Sequence, residues 1–445
     1  MATFLTRTTG NPTLGTKCTV SAWVKINEVP GGSGTDRWLF GEYGNSSNHS
    51  YLYLRNSSEI GWYEADGSGT VASIITTRYC RDLNGWYHFM IVYDTTDSTQ
   101  ADRFKMYING ERQSSFSTNT NSIAQNYLPR INRTGRAYRI GGVSGYQTMF
   151  TGSMSHYHHC DGSALAPTVF GSTDSTTGEW KINSGPSFTL GNNGFSILKD
   201  GNTITDQSTN SNDFALGGGT LTKTEDCPSN VFATMNPLDN QVQGSTFYYG
   251  NNEIEWNTNN RQNHSTLAMN AGKFYWEVKY TNDSGGANGM LGISLLDSRQ
   301  GDAYVGHDSN SWAYYFSNGN NYHNGSTASY GASVAAGDIV GVAFDADSRT
   351  IWFSKNGVWQ GSATIAEIAA GTTTNSMFTG IGTAGQFFIP AMSGYDGNKA
   401  EFNFGNGYFK TTAVSSAGTN ASGIGIFEYD VPTGFTALCT KGLNE

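Results

Sequence analysis

At 445 residues the chain is too long for one ordinary β-sandwich and fits two cores with connecting structure. Charged residues make up 14% and aromatics 13%, so apolar burial is concentrated in Tyr, Phe and Trp, which argues against disorder. The net charge of −10 excludes nucleic acid as a partner, because such binders need a basic stripe to release counterions.

Taken in chain order, the segments read as strands. Helical periodicity is confined to Ile365 to Ala370, under two turns between Gly361 and Gly371, so the chain is expected to be all-β. Period-two alternation marks Phe104, Met106 and Ile108, then Phe274, Trp276 and Val278, then Val340, Val342 and Phe344. Each half carries the same grammar of strand, Asp-bearing turn, strand, Asn-Gly and strand. The hairpins fall at Asn109-Gly110 and Asn356-Gly357, because both central residues of a type I′ turn need positive φ. These features predict two tandem antiparallel sandwiches. The first covers 1–162 and an irregular connecting segment rich in Gly, Ser, Thr and Asn covers 163–244. The second sandwich spans 245–410, with a tail packing on it over 411–445. Phe170, Trp180, Phe188, Phe195, Phe214 and Phe232 are the expected anchors of the connecting segment.

No apolar run reaches membrane-spanning length and the first residues hold no signal-like stretch, so neither membrane insertion nor export is expected. Cys18, Cys80, Cys160, Cys227 and Cys439 are odd in number and lack a C-x-x-C pair. They read as small buried thiols made in a reducing cytoplasm.

Chemistry-bearing clusters are few. His156, His158 and Cys160 share a strand face at zinc-like spacing, although ordinary strand positions account for them better. Glu253 and Glu255 share a strand face, close enough for a retaining glycosidase on spacing alone; an ordinary strand edge is the better account. Gly380 to Gly385 spells G-x-G-x-x-G, but a strand-like run with Pro390 follows where a nucleotide site needs a helix. Trp312 and Tyr314 read as core. Tyr322 and His323, amid turn residues, are the ligand-binding candidates, since a sugar stacks on an aromatic face.

Several ordered phrases carry a resemblance. GKFYWEVKY, MLGIS, VGHDSNSWAYY, AAGDIVGVAFDADSRTIWFSKNGVWQG, FFIPAM and FNFGNGYF resemble a SPRY domain. CTVSAWVK, GWYHFMIVYD, DRFKMYINGER and FTGSMSHYHHCDGSAL are similar to laminin-G-like, concanavalin A-like jelly rolls. The phrases LAPTVFGSTDSTTGEWK, DQSTNSNDFA, DCPSNVFATMNPLD and VPTGFTALCTKGL resemble those joining such domains in virion structural proteins of marine and cyanobacterial tailed phages. The resemblance implies a non-enzymatic tail-fibre or appendage protein, made in the host cytoplasm and carried on the virion. Its expected partners are other virion proteins and a host-surface glycan or receptor. A homo-oligomer is expected, trimers being common in fibres, although no heptad is visible. The rival readings are a capsid decoration or connector and, more remotely, a polysaccharide depolymerase. The E-x-D-x-x-E string of jelly-roll glucanases is absent. No cofactor is expected. Calcium is conceivable because laminin-G-like domains sometimes hold it, and Asp94, Asp97 and Asp102 crowd one turn, where backbone hydrogen bonding is the stronger account.

Overall fold

The computed structural model describes residues 3–27, 36–83, 85–143, 148–199, 204–239, 244–284, 286–298 and 303–444. Among them the chain is built of strands, short 3₁₀ turns and one α-helix, Ile365–Ala369. Thr364 caps that helix in a capping box with Glu367. The chain divides into two compact units, residues 1–223 and 224–445. Of the stretch 163–244 expected to connect the sandwiches, residues 163–223 fall in the first unit and the rest in the second.

In the first unit, a nine-stranded sheet runs in the order Phe116–Asn121, Thr70–Tyr79, Glu59–Asp66, Asn48–Leu54, Arg37–Asn45, Ala137–Ile140, Phe4–Thr8 and Ala215–Gly218; Thr148–Met149 adds to Arg37–Asn45. A six-stranded sheet runs Phe195–Ile197, Gly152–Asp161, Lys17–Ile26, Trp86–Asp94, Phe104–Ile108 and Glu111–Arg112. The core between them holds Leu52, Leu54, Trp62, Phe89, Ile91 and Tyr138. Phe104, Met106 and Ile108 are buried while Lys105 and Tyr107 are half-buried, as the alternation predicts. Lys17–Ile26 is instead buried along nearly its whole length. Alternation disappears there because both faces are covered. Trp23 stacks on His88 at 5.0 Å, and His88 lies between Trp23 and Trp180, an aromatic of the segment after residue 162. Phe170, Trp180 and Phe188 thus pack on the outer side of the six-stranded sheet, while Phe195 and Phe214 join the core.

The second unit repeats the plan. Its larger sheet runs Ser245–Tyr248, Glu253–Trp256, Asn398–Asn403, Lys273–Asp283, Ile339–Asp345, Thr350–Lys355 and Val358–Trp359, with Thr436–Ala437 beside Lys273–Asp283. The other runs Arg261–His264, Phe388–Gly394, Met290–Leu295, Ser311–Tyr315, Asn320–His323 and Ser326–Ser329. Trp276, Val278, Ile293, Tyr314 and Phe353 fill the core. Phe232, Phe427, Val431 and Phe435 form a further apolar layer with Tyr275 and Trp352. Glu277 fixes the tail there, its Oε2 and Oε1 accepting the backbone amides of Glu428 and Tyr429 at 2.9 Å each.

Both Asn-Gly pairs form hairpins with positive φ at both residues: 50° and 76° at Asn109 and Gly110, 49° and 80° at Asn356 and Gly357. The likeness extends to side chains. Asn109 Oδ1 accepts the backbone N–H of His88 at 2.8 Å, and Asn356 Oδ1 accepts that of Ile339 at 2.8 Å. In each unit an aromatic ring of the following segment lies on the turn. A Cβ at Gly110 would meet Trp180 at 2.5 Å, and one at Gly357 would meet Tyr429 at 2.6 Å. Cys18, Cys80, Cys160 and Cys439 are buried and Cys227 is half-buried, with no disulfide among them.

Candidate functional site

On the strand Asn48–Leu54, Leu52 and Leu54 face the core while Tyr51 and Tyr53 face outward. The neighbouring strands add Trp38, Tyr43 and Tyr63 to this outer face. Trp38 stacks on Tyr51 with centroids 4.3 Å apart, and Tyr53 lies over Gly61, where a Cβ would fall 2.2 Å from its ring. At one end of the face the rings emerge. Tyr43 and Tyr63 are half-buried on either side of His49, which stacks on Tyr63 at 5.3 Å and lies 6.2 Å from Tyr43. His49 Nδ1 lies 3.1 Å from the Asn45 carbonyl, so that nitrogen carries the proton. Burial pushes the His49 pKa down, which keeps the ring neutral.

Two polar turns border these rings. The turn at 45–48 is closed by Asn45 Oδ1, which accepts the Ser47 amide at 3.0 Å, and Gly67 N of the next turn donates to Ser47 O at 2.9 Å. Both turns are held from behind. Arg130 Nη1 donates to Asn48 Oδ1 and to Asp66 Oδ1 at 3.0 Å each, and Arg133 Nη2 donates to Asp66 Oδ2 at 2.7 Å. Hydrogen bonding and charge from Arg133 hold the Asp66 carboxyl below the usual carboxylate range. The result is a rim of half-buried tyrosines beside fixed amide, hydroxyl and carboxylate groups. Such a rim can stack a pyranose ring and bond its hydroxyls. The sequence reading missed Tyr43, His49 and Tyr63; the alternating HSYLYL was the signal available.

The residues singled out from the sequence fall elsewhere. Tyr322 and His323 are neighbours on the strand Asn320–His323 and point to opposite faces. His323 faces inward, its ring stacked on Trp312 at 4.7 Å and its Nδ1 2.9 Å from Ser311 O. Tyr322 faces outward and meets Tyr315 at 5.3 Å and Tyr304 at 6.2 Å. The pair therefore does not form one surface, while Tyr322 belongs to a half-buried three-tyrosine cluster. Trp312 and Tyr314 are in the core.

A bulge after Ser155 interrupts the strand that carries His156, His158 and Cys160, and His156 has φ 46°. His158 stacks on Phe170 at 5.6 Å, and Cys160 Sγ donates to Thr189 O at 3.0 Å. Asp94 meets Lys17 at 2.8 Å, Asp97 accepts the Thr99 amide at 2.8 Å and Asp102 meets Arg112 at 2.7 Å, so the three carboxylates have separate partners. Among the described residues no three His, Cys, Asp or Glu side chains are placed to hold one metal ion. Glu253 faces Lys410 at 3.3 Å and Glu255 faces Lys399 at 3.0 Å. No helix among the described residues is long and apolar enough to cross a membrane.

Comparison with known families matches residues 5–169 to the concanavalin A-like lectin/glucanases superfamily and residues 273–407 to the SPRY domain. No curated protein matched the chain. Among solved structures, the SPRY domain of human HERC1 is 20% identical, with 38% of this chain and 96% of that one covered and a TM-score of 0.29. The TRIM65 PSpry domain is 15% identical, covering 38% and 91% with a TM-score of 0.31. A heptameric SAP-like pentraxin from Limulus polyphemus is 16% identical, covering 37% and 72% with a TM-score of 0.27. The chain carries a concanavalin A-like domain followed by a SPRY domain, both β-sandwiches of the kind that typically bind without catalysing.

Proposed function

We propose that this chain is a non-catalytic recognition protein of a virion, part of a tail fibre or other exposed appendage, and that its first sandwich binds a host-surface glycan. The observation that carries the glycan reading is the Tyr43–His49–Tyr63 rim, with polar turns pinned from behind by Arg130 and Arg133. Groups fixed before a ligand arrives lose little entropy on binding. The virion setting rests on the connecting phrases quoted above. In this reading the SPRY unit docks proteins, and the Tyr304–Tyr315–Tyr322 cluster is its candidate surface.

The test is adsorption. Labelled protein is expected to adhere to host cells and to compete with virions, and Tyr43→Ala combined with Tyr63→Ala is expected to lower adhesion about tenfold or more while the chain still unfolds cooperatively. Protein that ignores host cells and binds only capsid or tail subunits would remove the host role. That outcome is the second reading, a decoration or connector protein. It has one observation in its favour: Ser326–Ser329 is an exposed, uncharged edge strand, suited to strand addition by a neighbouring subunit.

A further inference from the structure

Three Asn-Gly pairs sit at two-residue hairpin corners with positive φ at both residues. Two are the pairs at 109–110 and 356–357. The third is Asn324-Gly325, with φ 51° and 68°, where Tyr322 pairs with Thr327 and His323 with Ser326. Asn-Gly is the dipeptide at which an asparagine side chain most readily reacts with its own backbone, because glycine has no side chain to block the approach of its amide nitrogen. In a folded protein the reaction is governed by how firmly the side chain and the turn are held.

Two of the three corners are held. Asn109 Oδ1 accepts the His88 amide, and Trp180 covers Gly110. Asn356 is tied through both side-chain atoms, its Oδ1 accepting the Ile339 amide and its Nδ2 donating to Asp338 Oδ1 at 2.7 Å, and Tyr429 covers Gly357. The third corner is bare. Asn324 is exposed and its side chain has no partner among the described residues. A Cβ at Gly325 would meet nothing nearer than His307 O at 4.0 Å, and the Gly325 amide is held by a long bond of 3.3 Å to Gly306 O. The other described Asn-Gly pairs are restrained as well. Asn193 and Asn406 are buried, Asn288 Oδ1 accepts Tyr315 Oη at 2.7 Å, and Asn318 Oδ1 accepts the Asn320 amide at 3.0 Å.

The left-handed backbone at Asn324 has to rotate before the Gly325 nitrogen can reach Cγ, so the corner must open locally. Little opposes that. The strand Ser326–Ser329 is exposed at all four positions and is paired along one side alone.

We propose that Asn324 is a self-modification site, which deamidates in the folded protein while the asparagines of the sealed corners persist, and that the product loosens this edge of the second unit. The Gly325 amide nitrogen gives up its proton to water and attacks Asn324 Cγ. The new C–N bond closes a succinimide as the Cγ–Nδ2 bond breaks and ammonia leaves. Water then opens the ring at either carbonyl, so the net change is water in and ammonia out, with nothing oxidised or reduced. One opening leaves aspartate and the other isoaspartate, whose backbone runs through Cβ. Both add a negative charge, and isoaspartate lengthens a corner built for two left-handed residues, so the adjoining Tyr322–Thr327 pairing weakens. The modification does not depend on this edge serving as a docking surface.

Peptide mapping by mass spectrometry tests this on the full chain, aged folded at mildly alkaline pH beside a guanidinium-unfolded sample. Comparing each asparagine with its own unfolded rate removes the influence of neighbouring sequence. Folding is expected to slow Asn109 and Asn356 at least about tenfold more than Asn324. The aged parent is expected to exchange amide hydrogens faster over 320–329 than fresh protein, and Asn324→Gln aged alongside is expected not to. Asn324 protected as strongly as the sealed pairs, or overtaken by any other described Asn-Gly pair, would overturn the site. Unchanged exchange over 320–329 in a chain that has converted would overturn the loosening.

Discussion

Arg130 donates to Glu42 through Nε at 2.7 Å and Nη2 at 3.1 Å, and both side chains are only 1% exposed. The same guanidinium reaches Asn48 and Asp66, so it links the core end of the first sandwich to the turns of the tyrosine rim. Removing one partner of a buried pair strands the other charge. Arg130→Ala is therefore expected to cost about 3–5 kcal/mol in urea unfolding. Arg130→Met combined with Glu42→Leu is expected to recover part of that loss. A cost below about 1 kcal/mol for the single variant would show that the pair is hydrated in solution.

In the second unit, Glu277 is buried with four donors around it: Tyr275 Oη, Asn403 Nδ2 and the amides of Glu428 and Tyr429. Desolvation outweighs those hydrogen bonds and pushes its pKa from 4.5 up to about 7. Between those values the folded chain holds a proton that the unfolded chain has released. Glu277 therefore adds stability below about pH 4.5 that is lost as pH rises towards 7, about 3 kcal/mol in all. Urea unfolding of Glu277→Gln across this range is expected to show a flatter profile than the parent. An unchanged profile would refute the assignment.

The first unit carries the opposite dependence. Burial pushes His88 and His158 down to about 3, and His88 is held neutral in place, accepting from Trp180 Nε1 on Nδ1 at 3.1 Å with Nε2 2.8 Å from Ser21 Oγ. Here the unfolded chain takes up protons first. Stability is full above about pH 6.5 and declines as pH falls, by about 1.4 kcal/mol per pH unit for each histidine. Hydrogen exchange between pH 5 and 7 is expected to show loosening at the lower pH around residues 86–94 and 152–161. His88→Asn is expected to reduce it.

The hairpin glycines give a paired test. At Gly110 and Gly357 an alanine would meet both a left-handed backbone and an overlying ring, Trp180 or Tyr429. Each Gly→Ala change is expected to cost more than about 1 kcal/mol in thermal or urea unfolding. Gly135, with φ 68° and open space around its would-be Cβ, serves as the control, where backbone strain acts without overlap. A Gly110→Ala cost equal to that of Gly135→Ala would mean that the Trp180 contact contributes nothing.

What the sequence discloses here is mostly local. The Asn-Gly hairpins are legible because positive φ is a demand on two residues alone. The alternation of Phe104, Met106 and Ile108 is legible because one face meets the core. Tyr322 and His323 read as loop because Asn and Gly surround them, yet those residues bound a four-residue strand, with positive φ at Gly319, Asn324 and Gly325. Period two then sends the two rings to opposite faces. The rim of Tyr43, His49 and Tyr63 depends on which side of three adjacent strands meets the second sheet, and alternation alone leaves that choice open.

Trp180 and Tyr429 lie about seventy residues beyond the turns they cover, so each sandwich is sealed by chain that leaves the ribosome well after its hairpin. During synthesis the first hairpin stands with an uncovered glycine corner, and a bare aromatic sheet face beside it, until the segment through Trp180 emerges. The matched region of the first domain ends at residue 169, before that seal arrives. A translational pause placed there would hold the nascent chain in its stickiest state.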